Sequence, residues 1–228
     1  MRKPFFVAVA CFAALLLPAA CAKTKSSSGG SAALTIVNAV NGSNALVTNF
    51  SGTDSIGFYA TAAQIPLGSY VEIGSYTGAT PLWLYNYPDT TVQDAPLYKL
   101  TFQLPVGSIH SLFLMGSTSA PDTLFTTDVL SAYTDSVFGV RLVNLVTGTS
   151  GYKTLSPFTT YASNAESTSL TLYFTDPATG DTLNTFTLTG NGMGWSDPNN
   201  GNTLTFKNVT IALYGTVGST MTMLIDDY

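Results

Sequence analysis

Charge is what this chain has least of. Only 9% of its 228 residues are Asp, Glu, Lys or Arg, against about 25% in an average soluble domain. Surface helices draw on Glu, Lys and Arg both for propensity and for i,i+4 pairing, so a mostly helical fold is excluded. Cysteine is nearly as scarce: Cys11 and Cys21 are the whole complement. Both lie in or at the edge of the N-terminal leader, so the body behind it has no disulfide to lean on. A single histidine, His110, excludes a zinc site, which needs three or four His or Cys ligands. Lys and Arg total 8, with no basic run beyond the segment that follows the leader, so nucleic-acid binding lacks its electrostatic footprint.

What is present is a leader and a β-rich body. Arg2 and Lys3 precede an apolar run from Phe5 to Leu17, then Pro18-Ala19-Ala20-Cys21. A basic start, a hydrophobic stretch and small residues before a cut mark a secretory signal. The run is shorter than the roughly 20 residues a spanning helix needs. Leu17-Pro18-Ala19-Ala20-Cys21 resembles the bacterial lipobox, in which Cys21 is acylated and becomes the mature N-terminus; Pro18 stands where that motif has leucine. Cleavage after Ala22 by ordinary signal peptidase is the alternative. Residues 1–21 are thus read as a lipoprotein signal ending at the lipidated Cys21. Residues 22–33, with Lys23-Thr24-Lys25-Ser26-Ser27-Ser28-Gly29-Gly30-Ser31 at their centre, are read as a flexible tether. The expected address is the cell envelope, lipid-anchored, at the outer membrane.

Hydrophobic residues make up 45% of the chain, and Thr, Ser, Asn and Gly fill most of the rest, a composition suited to antiparallel strands. The expected strands of a first domain, residues 34–130, are Leu34–Val40, Ile56–Ala60, Tyr70–Ser75, Pro81–Tyr87, Tyr98–Leu104 and Ser111–Met115. Those of a second, residues 137–228, are Gly139–Val146, Leu170–Thr175, Leu183–Thr189, Leu204–Lys207, Thr210–Tyr214 and Met221–Ile225. A helical turn is expected within Thr159–Ser167. Short strands at about ten-residue intervals between turn signals predict an all-β protein of two tandem immunoglobulin-like β-sandwich domains.

The tandem reading rests on two echoes. Leu34-Thr35-Ile36-Val37-Asn38-Ala39-Val40 is matched by Val140-Arg141-Leu142-Val143-Asn144-Leu145-Val146, each followed by a glycine turn. Ser111-Leu112-Phe113-Leu114-Met115-Gly116 is matched by Thr210-Ile211-Ala212-Leu213-Tyr214-Gly215, and each stands at the same distance from an aspartate, Asp128 or Asp227. With Pro66-Leu67-Gly68-Ser69-Tyr70, these features resemble a tandem domain-of-unknown-function family of Bacteroidota envelope lipoproteins that opens on Arg-x-Val-Asn. Arg141-Leu142-Val143-Asn144 fits that opening, whereas Thr35 stands in place of the arginine in the first copy. The resemblance implies a β-sandwich and the cell envelope, and brings no catalytic residues with it.

The candidates for chemistry are few. His110 has Ser108 and Ser111 near it but no Gly-x-Ser-x-Gly elbow, and is read as a strand-edge residue. The aspartates, among them Asp89, Asp122, Asp176 and Asp181, sit in turn contexts where the side chain bonds its own backbone. Asp197, Asn199 and Asn202 offer oxygen ligands for calcium, with Gly201 for the sharp bend. No glutamate follows at the EF-hand distance, so a hairpin loop is expected instead, with no metal and no cofactor. Asp226 and Asp227 either supply further ligands or form a solvated acidic terminus.

Alternation in Pro81-Leu82-Trp83-Leu84-Tyr85-Asn86-Tyr87 puts Trp83, Tyr85 and Tyr87 on one face. That stripe either stacks on a sugar or partner surface, or is core with Trp83 as the buried sandwich residue. Arg141 is expected to pair with a carboxylate near the domain junction, Asp128 or Asp135. The function expected is a non-enzymatic envelope lipoprotein with a binding, adhesion or structural role, joined to the membrane by its anchor and to envelope glycans or another envelope protein. The alternative is a carbohydrate-binding accessory protein using Trp83, Tyr85 and Tyr87.

Overall fold

A computed structural model describes residues 30–52, 62–90, 94–133, 137–162, 169–190, 195–196 and 208–227. The first half contributes β1 (Ser31–Asn38), β2 (Ala45–Asn49), β3 (Gln64–Pro66), β4 (Ser69–Tyr76), β5 (Gly78–Asn86), β6 (Tyr98–Leu104), β7 (Ile109–Ser117) and β8 (Ala120–Thr127). The second contributes β9 (Val137–Asn144), β10 (Thr154–Leu155), β11 (Thr159–Ala162), β12 (Ser169–Thr175), β13 (Thr182–Gly190), β14 (Trp195–Ser196), β15 (Asn208–Thr216) and β16 (Ser219–Asp227). The protein is all-β, and its sheets are packed as in a β-sandwich.

Two inner sheets repeat one plan. The first runs β4-β1-β7-β8; the second runs β10-β9-β15-β16, with β11 also on β9. In each, the opening strand lies inside the sheet and pairs in parallel with the first strand of the closing hairpin. Thr35 sits opposite Ser111 and Arg141 opposite Thr210. Two outer sheets, β3-β2-β5-β6 and β12-β13-β14, cover one face of each inner sheet.

The inner strands read as unbroken apolar runs because both of their faces are covered, the condition under which a strand loses its alternation. Leu34 and Ile36 of β1 and Leu112 and Leu114 of β7 point to the outer sheet of their own half, against Leu82 and Leu84. Val140, Val209, Ile211 and Leu213 do the same against Leu172, Phe174, Phe186 and Leu188. The opposite faces meet each other: Val37, Ala39, Phe113 and Met115 pack on Val143, Leu145, Ala212, Tyr214 and Ile225. The order of layers is therefore outer, inner, inner, outer. Strands of the outer sheets keep their alternation, as in β12, where Leu172 and Phe174 are buried between exposed Thr171, Tyr173 and Thr175.

The Val-Asn echo has a local cause. Oδ1 of Asn38 accepts from Val40 N (3.1 Å) while Nδ2 donates to Ser43 Oγ (3.1 Å), which in turn donates to Val40 O (2.9 Å). Asn144, Val146 and Thr149 make the same three bonds at 2.9–3.0 Å. The buried amide thus ends its strand by tying a glycine turn, with Gly42 and Gly148 at φ 85° and 86°. Gly116 and Gly215 also correspond. A Cβ on either would lie 2.3 or 2.5 Å from the carbonyl oxygen of Ala120 or Ser219 across the hairpin.

Most expected strands are present with their ends shifted by one to three residues, and Tyr98–Leu104 is matched end to end. Ile56–Ala60 and Leu204–Lys207 lie outside the described residues. The helical turn is corrected in its first part: Thr159–Ala162 is a strand, because two threonines and a tyrosine pair with Val137–Val140. Asp122 belongs to β8 rather than to a turn, since the hairpin bends earlier, at Ser117–Ala120.

Candidate functional site

Among the described residues, charge gathers at the junction between the inner sheets. Arg141 on β9 is 3% exposed. Its Nη1 donates to Asp128 Oδ1 of the first half at 2.6 Å, and its Nη2 reaches Asp227 Oδ1 of the second at 3.3 Å. Nε donates to Thr210 Oγ1 at 2.6 Å, and Nη2 also reaches Ser111 Oγ at 3.3 Å. Each hydroxyl donates onward to its own carboxylate: Ser111 to Asp128 and Thr210 to Asp227, both at 2.6 Å. The Phe158 ring lies 4.8 Å from the guanidinium carbon. A planar fork of five donors suits this task.

The expected pairing of Arg141 with Asp128 is present; Asp135 lies outside the described residues. The solvated-terminus reading of Asp227 is overturned. Its side chain is 3% exposed because β16 carries it into the junction rather than past the end of the sheet. Two buried carboxylates share one cation, and the pair does not divide it evenly. Burial pushes the Asp227 carboxyl up to about 7, against the pull of Arg141 and the Thr210 hydroxyl, with Asp128 and Glu72 adding to the rise.

His110 is likewise corrected. It sits in β7, flanked by β1 and β8, and is 3% exposed rather than at an edge. Its ring stacks on Phe125 with centroids 5.0 Å apart. Nε2 is 2.8 Å from Ser108 Oγ, but that hydroxyl donates to Pro105 O at 2.6 Å. The shorter of the two contacts gives the serine proton to that carbonyl, and Nδ1 of the ring faces a second carbonyl, Thr126 O, at 3.2 Å. A nucleophile–base pair needs the proton to run the other way.

The aromatic stripe falls between its two readings. Leu82 and Leu84 face the core, so Trp83 is not the buried sandwich residue. Trp83 is half-buried beneath Lys99, whose Nζ lies 4.3 Å from the ring centroid. Tyr87, just past the strand end, is 39% exposed, whereas Tyr85 is fully buried. A platform of three rings is therefore not available; two remain. Asp197, Asn199 and Asn202, like Cys21, lie outside the described residues. No protein-family model matches the chain, and no curated protein matches it in sequence.

Proposed function

We propose that the chain is a cell-envelope lipoprotein anchored through Cys21 and kin to the tandem Bacteroidota family whose opening strand it resembles. In this reading residues 34–130 and 137–228 are two tandem sandwich domains held as one stiff body. They are immunoglobulin-like in size and layering but have their own strand order, with β1 and β9 interior. The role is binding, adhesion or structure at the outer membrane rather than catalysis. The leader that ends at Cys21, followed by the Ser/Gly tether, carries the reading. The junction supports its non-catalytic part: Arg141, Asp128 and Asp227 are each under 10% exposed, so they tie two sheets together and reach no substrate.

Growth with an alkyne fatty acid tests the anchor. The expected outcome is label on the wild type in the membrane fraction and none on Cys21→Ser. An unlabelled mature chain beginning at Lys23 sinks the proposal.

A second, narrower reading keeps a glycan ligand at Trp83 and Tyr87, favoured by the exposure of Tyr87. It predicts glycan-array binding that Trp83→Ala removes while the thermal transition stays in place.

A further inference from the structure

The two halves differ most where the first half carries β2 and β3. Gly68 N donates to Asn38 O at 2.9 Å, and Lys153 N donates to Asn144 O at 2.9 Å, so these positions correspond. Between the Asn-tied turn and this point, the first half inserts residues 44–67 and the second only residues 150–152. The inserted β2 lies antiparallel on β5, with Leu46 opposite Asn86 and Asn49 opposite Trp83. The inserted β3 brings Ile65 into the core, and its carbonyl accepts the second N–H of Asn38 at 2.9 Å.

In the second half β12 takes the place of β5. Both pair antiparallel with the long strand that follows, and both pack their inward residues on the inner sheet. Among the described residues, however, β12 is hydrogen-bonded on one side only. Beside its end lies a cleft of about 290 Å³, lined by Asn144, Ser156, Tyr173, Phe174, Thr175 and Pro177. Asn144 is 7% exposed, and among the described residues its Nδ2 has one acceptor, Thr149 Oγ1, although a side-chain amide carries two N–H groups. The edge itself, Ser169-Leu170-Thr171-Leu172-Tyr173-Phe174-Thr175, has no charge and no proline, the usual guards of an open edge.

We infer that β12 is a strand-acceptor site. Its occupant is an extended segment of a partner protein, uncharged and aliphatic like β2, that adds antiparallel to β12. An aliphatic side chain of that segment enters the cleft. Strand addition of this kind draws affinity from main-chain bonds and specificity from the side-chain pocket. The first half displays the strand pairing within one chain, β2 on β5, and β2 supplies the probe; the carbonyl that meets Asn38 comes from β3. The inference does not depend on the lipid anchor.

The experiment uses the full chain in detergent and a capped peptide of residues Asn44–Phe50. Hydrogen exchange on the free protein is expected to show alternate amides of Ser169–Thr175 exchanging freely. Saturating peptide is expected to slow them by about tenfold or more while β1 and β9 amides stay unchanged. Tyr173→Lys puts a guarding charge on the edge, and Thr154→Trp fills the cleft from an exposed position. Each is expected to weaken peptide binding by about tenfold or more, and a scrambled peptide is expected not to bind. Full protection of β12 in the free monomer would overturn the inference, because another part of this chain would then hold the edge. So would a dimer paired through β12, or peptide binding that both variants leave intact. The exchange pattern of the free wild type decides even where a variant does not fold.

Discussion

The two halves share a plan down to single hydrogen bonds, and they part at a few positions that explain the molecule. Asn38 and Asn144, Ser43 and Thr149, Gly116 and Gly215, and the Ser111–Asp128 and Thr210–Asp227 pairs are interchangeable in role. Thr35 and Arg141 are not. Both sit on the interior opening strand, facing the other half, and both are buried. One arginine spans the two carboxylates that the shared plan brings together, so the matching strand needs only a small residue. The shared plan by itself would leave two buried carboxylates facing each other. The asymmetry turns that liability into a tie between the sheets.

The strongest way to break the comparison is to remove the residue that distinguishes the halves. Arg141→Met keeps the volume and the apolar stem but leaves Asp128 and Asp227 with hydroxyl partners alone. Breaking one side of a buried pair in this way costs about 3–5 kcal/mol, read as a lower denaturant midpoint. Adding Asp128→Asn and Asp227→Asn to the same variant is expected to recover most of the loss, since no uncompensated charge then remains. A loss below about 1 kcal/mol for Arg141→Met alone would mean that the hydrophobic junction, not the ion network, holds the sheets together.

The two aspartates provide a second contrast. Asp128 receives the short contact at 2.6 Å and Asp227 the long one at 3.3 Å, and Asp227 carries the raised value near 7. A carboxyl with an unfolded pKa near 4 and a folded one near 7 binds its proton more tightly when folded. Stability from this group is therefore full below about pH 4 and is lost as pH rises through about 7, by about 2–4 kcal/mol. Glu72 is raised in the same direction, first by partial desolvation and then by Asp226, so the informative quantity is the difference from Asp227→Asn. Thermal melts of wild type and variant are expected to lie closest at pH 4.5, where both side chains are largely neutral, and the wild type is expected to fall below the variant at pH 8. Parallel curves would place the proton elsewhere.

How far the sequence carries depends on which force fixes each element. The echo of Val-Asn openings and the equal spacing to Asp128 and Asp227 were legible because local turn chemistry and strand pairing repeat with the residues that cause them. Arg141 was legible because a lone charge in an apolar strand has to find a carboxylate. The burial of Asp227 was not, because it follows from packing two inner sheets face to face, a contact between residues far apart in the chain. The same packing makes β1, β7, β9 and β15 apolar on both sides, a signal that periodicity reads as ordinary core. Tyr85 is a similar case. Alternation placed it outward with Trp83, as the leucines require, and tertiary packing then covered it. The β2 and β3 segments went unread because five- and three-residue strands, one ending on proline, carry too little pattern.

The smallest contrast lies at the two left-handed positions. Gly68 has φ 74° and Lys153 has φ 62°, each directly before the strand that pairs with its half's opening strand. A Cβ on Gly68 would lie 2.2 Å from the hydroxyl of Tyr214, which is packed in the junction. Gly68→Ala must therefore move a buried ring as well as strain the backbone, and is expected to cost about 1–3 kcal/mol. Lys153 already tolerates the conformation, because its side chain runs into solvent and meets Asp122 at 2.8 Å, with both groups 38% exposed. Lys153→Gly relieves about 1 kcal/mol of left-handed strain and forfeits a surface ion pair worth about 0–1 kcal/mol. The two nearly cancel, and the expected shift in melting temperature is small and upward. A clear loss for Lys153→Gly would show that its contacts with Asp122, which cross from one half to the other, outweigh the strain and belong with Arg141 among the ties between the sheets.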